Sequence, residues 1–141
     1  MQRPPSIVRF GQLYLAGIVL SVIGWAIDWP LMQERLAADP RTERFGWMLV
    51  VVAALSIAVP VLLWFLTARR ASGVARWIVI VLAALSVVRM LIDLPAFLGG
   101  GMSALSFGVG AAMMLLSLAS AALLFRADAR AWFGEQAGEG E

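Results

Sequence analysis

Three ionisable residues lie inside long apolar stretches or at their edges: Asp28, Arg89 and Asp93. Arg89 is twelve residues beyond Trp77, which on a membrane-spanning helix is about 18 Å into a hydrocarbon layer of about 30 Å. An arginine at that depth costs about 2.5–3.5 kcal/mol, so it should face protein or water and have an acidic partner. Asp93 follows at i+4, but an acid that follows its base is the weaker helical pair. We therefore expect a cross-helix pair with Asp28, or a triad of all three residues.

Two functions fit such a buried charge cluster. Ionisable residues within a membrane are candidates for solute or ion sites, which favours a binding site near the outer face. Alternatively, the cluster is a structural clamp that determines which helices meet. We prefer the clamp, because a neutralised cluster without histidine or amide neighbours is poorly equipped for transport.

The composition argues against most catalytic and redox chemistry. The chain contains neither cysteine nor histidine, so thiol nucleophiles, imidazole bases, disulfides and the usual zinc sites are excluded. The remaining residues offer no arrangement of nucleophile, base and acid. We therefore expect no catalytic residue, no bound metal, no cofactor and no enzymatic activity.

Small residues recur at helical spacing in two places. Gly17, Ser21 and Gly24 share one side of the first apolar block with Asp28. Three further small residues repeat every fourth position in the last block, namely Ala104, Gly108 and Ala112. Such stripes allow two helix backbones to approach closely in a membrane. Packing within one chain and packing between copies explain them equally well.

The distribution of apolar residues predicts the helices that carry these side chains. Hydrophobic residues make up 62% of the 141 residues and charged residues 14%, whereas soluble domains are about 45–50% apolar. The apolar residues form four blocks, each about as long as a spanning helix requires: residues 10–29, 45–68, 77–97 and 103–125. The sequence therefore predicts an all-α, polytopic membrane domain over residues 1–133. Residues 134–141 are predicted to be a disordered acidic tail.

Prolines and glycines separate or interrupt these blocks. Pro30 is expected to end the first helix, while Pro60 lies within the second. Asp28-Trp29-Pro30 and Asp93-Leu94-Pro95 lie 65 residues apart, which suggests an internal repeat of two parallel helical hairpins. The alternative is that an acid shortly before proline simply ends a helix at the interface.

Arginine placement predicts the orientation. Seven arginines flank the N-terminus, the central turn near Gly73 and the C-terminal end, whereas three lie between the first two blocks. Basic residues concentrate on the cytoplasmic side, so both termini should be cytoplasmic. The net charge is only +2 and the arginines flank apolar blocks, so the expected partner is the lipid bilayer and not nucleic acid.

Three segments carry a resemblance to a known group of proteins: Arg9–Leu15 (RFGQLYL), Leu62–Arg70 (LLWFLTARR) and Leu123–Phe133 (LLFRADARAWF). With them the chain resembles an uncharacterised family of small four-helix proteins of the bacterial inner membrane. The resemblance spans nearly the whole chain and implies four helices and that compartment. It implies no activity.

These observations favour a non-enzymatic protein of the bacterial inner membrane. It would act as a helical packing module, either as an accessory subunit of a larger complex or as a homo-oligomer. The alternative is a carrier or channel for a small solute or ion, with its site at Asp28, Arg89 and Asp93 near the outer face.

Overall fold

A computed structural model of the protein describes residues 3–134, and these residues form helices and short connections without any strand. The helices are α1 (Pro5–Ala37), α2 (Pro40–Glu43), α3 (Gly46–Ala68), α4 (Gly73–Leu98), α5 (Ala104–Leu123) and α6 (Ala127–Trp132). Four of them, α1, α3, α4 and α5, are long and apolar enough to cross a membrane. The predicted all-α fold with four such helices is confirmed. The predicted disordered tail lies, from residue 135 onward, outside the described residues.

Helix α1 is longer than the sequence predicts. It begins at Pro5 and continues through Pro30 to Ala37, so the expectation that Pro30 ends the helix is wrong. A proline inside a helix removes one backbone hydrogen bond, but residues 32–37 (MQERLA) are good helix formers that continue the helix beyond it. The turn into α2 is closed by the Thr42 hydroxyl, which donates to the Leu36 carbonyl at 2.9 Å.

Helix α4 begins earlier than its apolar block because Ser72 caps its N-terminus. The Ser72 hydroxyl accepts the Ala75 N–H at 3.3 Å, which satisfies one of the free donors of the first turn. The turn between α3 and α4 requires Ala71 to adopt a positive φ of 50°, which non-glycine residues seldom do. At its other end α4 passes through Pro95 and ends at Leu98.

The four long helices form a bundle in which α1 and α5 have the most extensive contact. Helix α1 also packs against α3, and α5 also packs against α4, while the contact between α3 and α4 is smaller. The outward faces carry exposed Val, Leu and Ile side chains, among them Val50, Leu55, Leu91 and Ile92. Such a surface suits lipid as its solvent.

The buried core lies at one end of the bundle, which we call the α6 end. There the start of α1, the end of α3, the start of α4 and the end of α5 meet α6. Its buried apolar residues are Ile7, Phe10, Leu63, Ala68, Ala75, Val79, Leu124 and Ala129. Because neighbouring helices contribute opposite ends to this core, they run antiparallel, and the buried apolar packing is concentrated at the α6 end.

Helix α6 is bonded to the start of α1 and to the end of α3. The Asp128 carboxylate accepts the Ser6 hydroxyl at 2.6 Å and the Ser6 backbone N–H at 3.2 Å, so α6 satisfies a free donor at the start of α1. The bond from the Ser6 hydroxyl, with bonds from backbone N–H groups, holds the pKa of Asp128 below its usual value. The Trp132 indole donates to the Thr67 carbonyl at 3.4 Å, which fastens α6 to α3 as well.

Candidate functional site

A cleft of about 450 Å³ lies in the opposite half of the bundle, nearest α2, between α1, α3, α4 and α5. Asp28, Arg89 and Asp93 all line this cleft. The structure therefore brings the three predicted site residues to one place. The other lining residues are Ser21, Gly24, Trp25, Ile27, Met32, Val52, Met90, Met102, Ser106, Phe107, Val109, Gly110 and Met113.

Arg89 is exposed and not buried. Its side chain is 73% exposed and its Nε donates to the Asp93 carboxylate at 2.7 Å. Asp93 is the i+4 residue on the same helix, whereas the weaker orientation of a base followed by an acid had favoured a cross-helix partner. An ion pair within α4 joins no two helices, so Arg89 does not act as a clamp through this bond.

Asp28 has a different partner. It is half-buried and accepts the Ser106 hydroxyl of α5 at 2.7 Å. Ser106 in turn accepts the hydroxyl of Ser103, the residue that caps α5, at 2.8 Å. Within the described residues, the one ion pair in the cleft is that of Arg89 with Asp93. The negative charge of Asp28 is thus stabilised by a neutral hydroxyl and by the positive end of the α5 dipole.

A second cavity of about 300 Å³ adjoins the cleft on the side of the α6 end, and the two share Ser21 and Met113 in their linings. We call it the apolar cavity. Its remaining lining residues are Leu13, Tyr14, Gly17, Ile18, Ser56, Pro60, Leu82, Leu116, Ser117 and Ser120. It contains no charged side chain. The surroundings thus change from charged in the cleft to apolar in the adjoining cavity, toward the packed core.

The first small-residue stripe faces α5. A Cβ added at Gly24 would lie 3.4 Å from Val109, and one added at Gly17 would lie 4.0 Å from Leu116. Ser21 lies between them on the same side and lines both cavities. These small residues let α5 approach α1 closely, and they also leave the space that the cavities occupy.

The second stripe is less buried within the chain than the first. Gly108 is exposed, and a Cβ added there would meet no atom within 4 Å. Ala104 is also exposed and Ala112 is partly exposed. This face of α5, which we call the outer α5 face, therefore points away from the other described helices.

Sequence reasoning missed the partner of Asp28 and the rings around it. Ser106 and Phe107 of α5 line the cleft with Trp25 and Asp28 of α1, and no local pattern marks the two α5 residues, because only the approach of α1 to α5 brings them to the cleft. Arg76 was counted as a boundary charge, but it is 3% exposed. Its guanidinium lies 5.2 Å from the ring centroid of Phe133 and 5.9 Å from that of Phe125.

The described residues contain no group of three or more His, Cys, Asp or Glu residues that could hold a metal ion. Comparison with known proteins adds no family: no family model matches the chain, and neither a curated protein nor a solved structure matches it. The function must therefore be argued from the cleft itself.

Proposed function

We propose that this chain is a non-enzymatic, multi-pass membrane protein that binds a small solute in the cleft, as a carrier or channel does. The observation that supports this most is that Asp28, Arg89 and Asp93, from two different helices, line one open cleft of about 450 Å³. Pockets for small ligands have volumes of about 300–1,000 Å³ and combine apolar walls with a few polar groups. The cleft has both properties.

The alternative role of these charges, a clamp between helices, has less support. A clamp requires oppositely charged groups on different helices, whereas Arg89 bonds to Asp93 four residues away. The link between α1 and α5 is the hydrogen bond of Asp28 with Ser106. Arg89 and Asp93 join no two helices through their ion pair and are therefore available to a ligand, and the Ser106 bond engages one of the two carboxylate oxygens of Asp28.

Association is a second proposed role, and the outer α5 face favours it. Ala104 and Gly108 are exposed there, and small residues of this kind let a helix from another subunit approach. The chain would then be an accessory subunit or a homo-oligomer. This role is compatible with a solute site, because the outer α5 face and the cleft lie on different sides of α5.

The proposed topology is two helical hairpins, α1 with α3 and α4 with α5, with both termini in the cytoplasm of a bacterial cell and the chain in its inner membrane. The contacts of α1 with α3 and of α4 with α5 support the hairpins. The seven arginines near the α6 end support the orientation. In this topology the cleft lies in the outer half of the membrane.

Accessibility of the cleft to water can be tested with single cysteines, because the chain has none of its own. Gly110 lines the cleft and an added Cβ there meets no atom within 4 Å. Gly108 also has open space but lies on the outer α5 face. The two positions differ by about 3 Å along the helix axis and by about 200° around it. They thus lie at nearly the same membrane depth on different sides of α5, which makes Gly108→Cys a matched control for Gly110→Cys.

A charged maleimide that does not cross membranes should label Gly110→Cys and leave Gly108→Cys unlabelled. The thiolate that reacts forms in water and not in lipid. Labelling is measured in intact cells and in inverted membrane vesicles, so that either orientation of the cleft is detected. Equal labelling of the two cysteines, or no labelling of Gly110→Cys in either preparation, would contradict a water-filled cleft.

A further inference from the structure

We propose that the solute taken up by the cleft is an organic cation with an apolar body, such as an ammonium group attached to a hydrocarbon chain. This inference rests on the proposed solute site and specifies its ligand class. The charge of the cleft, the side chains of its wall and the adjoining apolar cavity each support it.

The charge of the cleft favours a cation. Its ionisable lining residues are Asp28, Asp93 and Arg89, which leaves one excess negative charge. Because Arg89 bonds to Asp93 at 2.7 Å, the excess lies at Asp28, whose bonded partner is the Ser106 hydroxyl. A half-buried carboxylate in a membrane is stabilised by a counter-charge, and a bound ammonium group would supply it.

The wall around Asp28 suits a weakly hydrated cation. Trp25 and Phe107 line the same cleft, and an aromatic ring attracts an ammonium group that lies over its face. One face of the Phe107 ring is stacked on Phe97, with ring centroids 4.2 Å apart. Four methionines also line it, namely Met32, Met90, Met102 and Met113. Their flexible thioether side chains adapt to apolar ligands of different shape.

The apolar cavity provides space for the rest of such a ligand. It shares Ser21 and Met113 with the lining of the cleft, and its walls include Leu13, Ile18 and Leu82. A ligand with its ammonium group at Asp28 could place its hydrocarbon chain there. Burial of that chain adds to the free energy of binding in proportion to its apolar area.

An anion would have to bind through Arg89. To do so it must compete with Asp93 for the guanidinium and approach a cleft of net negative charge. Because both effects oppose anion binding, the sign of the ligand charge is the decisive test.

The test uses the full chain in lipid nanodiscs and three probes: hexyltrimethylammonium, hexanesulfonate with the same tail but the opposite charge, and tetramethylammonium without the tail. Isothermal titration, with empty nanodiscs subtracted, measures saturable binding. We expect hexyltrimethylammonium to bind most tightly of the three probes. Asp28→Asn, which keeps an acceptor for Ser106, should weaken its binding at least about tenfold. Glu34→Gln, which removes an exposed carboxylate of α1 outside the cleft, should leave binding unchanged.

The preference of the unmodified chain for ammonium over sulfonate tests the inference even if Asp28→Asn does not fold. Sulfonate binding that is lost in Arg89→Gln would overturn the cation proposal and leave the solute site intact. If none of the probes binds although Gly110→Cys is labelled, the cleft contains water and the ligand class is wrong. If no probe binds and no labelling occurs, the solute site fails as well.

Discussion

At the scale of single residues, Asp28 and Asp93 have equivalent places in the two similar sequence segments but different surroundings. Asp93 pairs with an arginine one turn earlier on its own helix, whereas Asp28 accepts a serine hydroxyl from α5. The two arginines of α4 differ as well. Arg89 is 73% exposed, and Arg76 is buried among aromatic rings at the α6 end. The role of each charged residue therefore depends on its surroundings in the bundle more than on its residue type.

This contrast leads to a prediction for Arg89→Ala. In a water-filled cleft, loss of an i,i+4 ion pair costs only about 0.3–0.5 kcal/mol, so thermal unfolding in detergent should change little. Arg76→Ala, on the same helix, should destabilise the chain clearly, because a buried side chain and its contacts with the rings of Phe125 and Phe133 are lost.

Thermal unfolding of the two variants side by side provides the control. A sharp loss of stability in Arg89→Ala that is rescued by neutralising Asp28 or Asp93 would identify a structural clamp instead of a ligand site.

At the scale of the elements, α5 has two faces with different tasks. One face carries Val109 and Leu116, which pack against the small residues of α1. Gly108 lies about 100° around the helix from Val109, and a Cβ added there would meet no atom within 4 Å. Ala104 is exposed as well. The contacts of α5 with α1 and α4 thus leave Ala104 and Gly108 outside its packing within the chain, whereas Ser120 and Ala121 are buried.

For this reason Gly108→Leu should leave the folded monomer intact. In a homo-oligomer or larger complex built on the outer α5 face, the added side chain should dissociate the assembly, because lipid can solvate that face at little cost. Crosslinking and size measurements in mild detergent report the assembly, and thermal unfolding reports the monomer.

Gly24→Leu is the matched control for this substitution. Even a Cβ at Gly24 lies 3.4 Å from Val109, so overpacking there should destabilise the monomer by about 1–3 kcal/mol. If Gly108→Leu destabilises the monomer to the same extent, the outer α5 face packs within the chain. An unchanged assembly with unchanged stability would mean that this face meets only lipid.

At the scale of the whole molecule, the bundle is packed at the α6 end and open at the end nearest α2. The core, the buried Arg76 and the bonds between Ser6 and Asp128 all lie at the α6 end. The cleft occupies the other half. A bundle that is held at one end and hollow at the other suits a site that is entered from one side of the membrane.

Reporter fusions test the side from which the cleft is entered. A reporter active only in the periplasm should be active when fused at Ala38 and inactive when fused after Gly73 or Gly138, because seven arginines lie on the side of the latter two positions and three on the side of the former. Reporters active only in the cytoplasm should give the reverse pattern. A cytoplasmic result at Ala38 would contradict the proposed orientation of the four helices.

The sequence by itself determined the number and type of the main elements. Four apolar stretches in a chain with 62% hydrophobic residues can satisfy their backbone groups in a membrane only as helices or as a closed barrel, and their length of about 20 residues selects helices. Sequence reasoning also singled out Asp28, Arg89 and Asp93, because charges in such stretches are costly, and all three line the cleft. The limits of α1 were less predictable, because one proline does not outweigh the helix-forming residues that follow Pro30.

The tertiary structure alone decided what those charges contact. Which residue bonds to Asp28 depends on how closely α1 approaches α5, and hydropathy records the depth of a residue but not the direction of its side chain around the helix axis. The same limit applies to Gly108 and Gly24, which are alike in sequence and differ only in whether a neighbouring helix lies opposite. The direction of each side chain toward its neighbouring helices therefore follows only from the packed bundle. The pattern of charges along the sequence does not specify which helix a given residue faces.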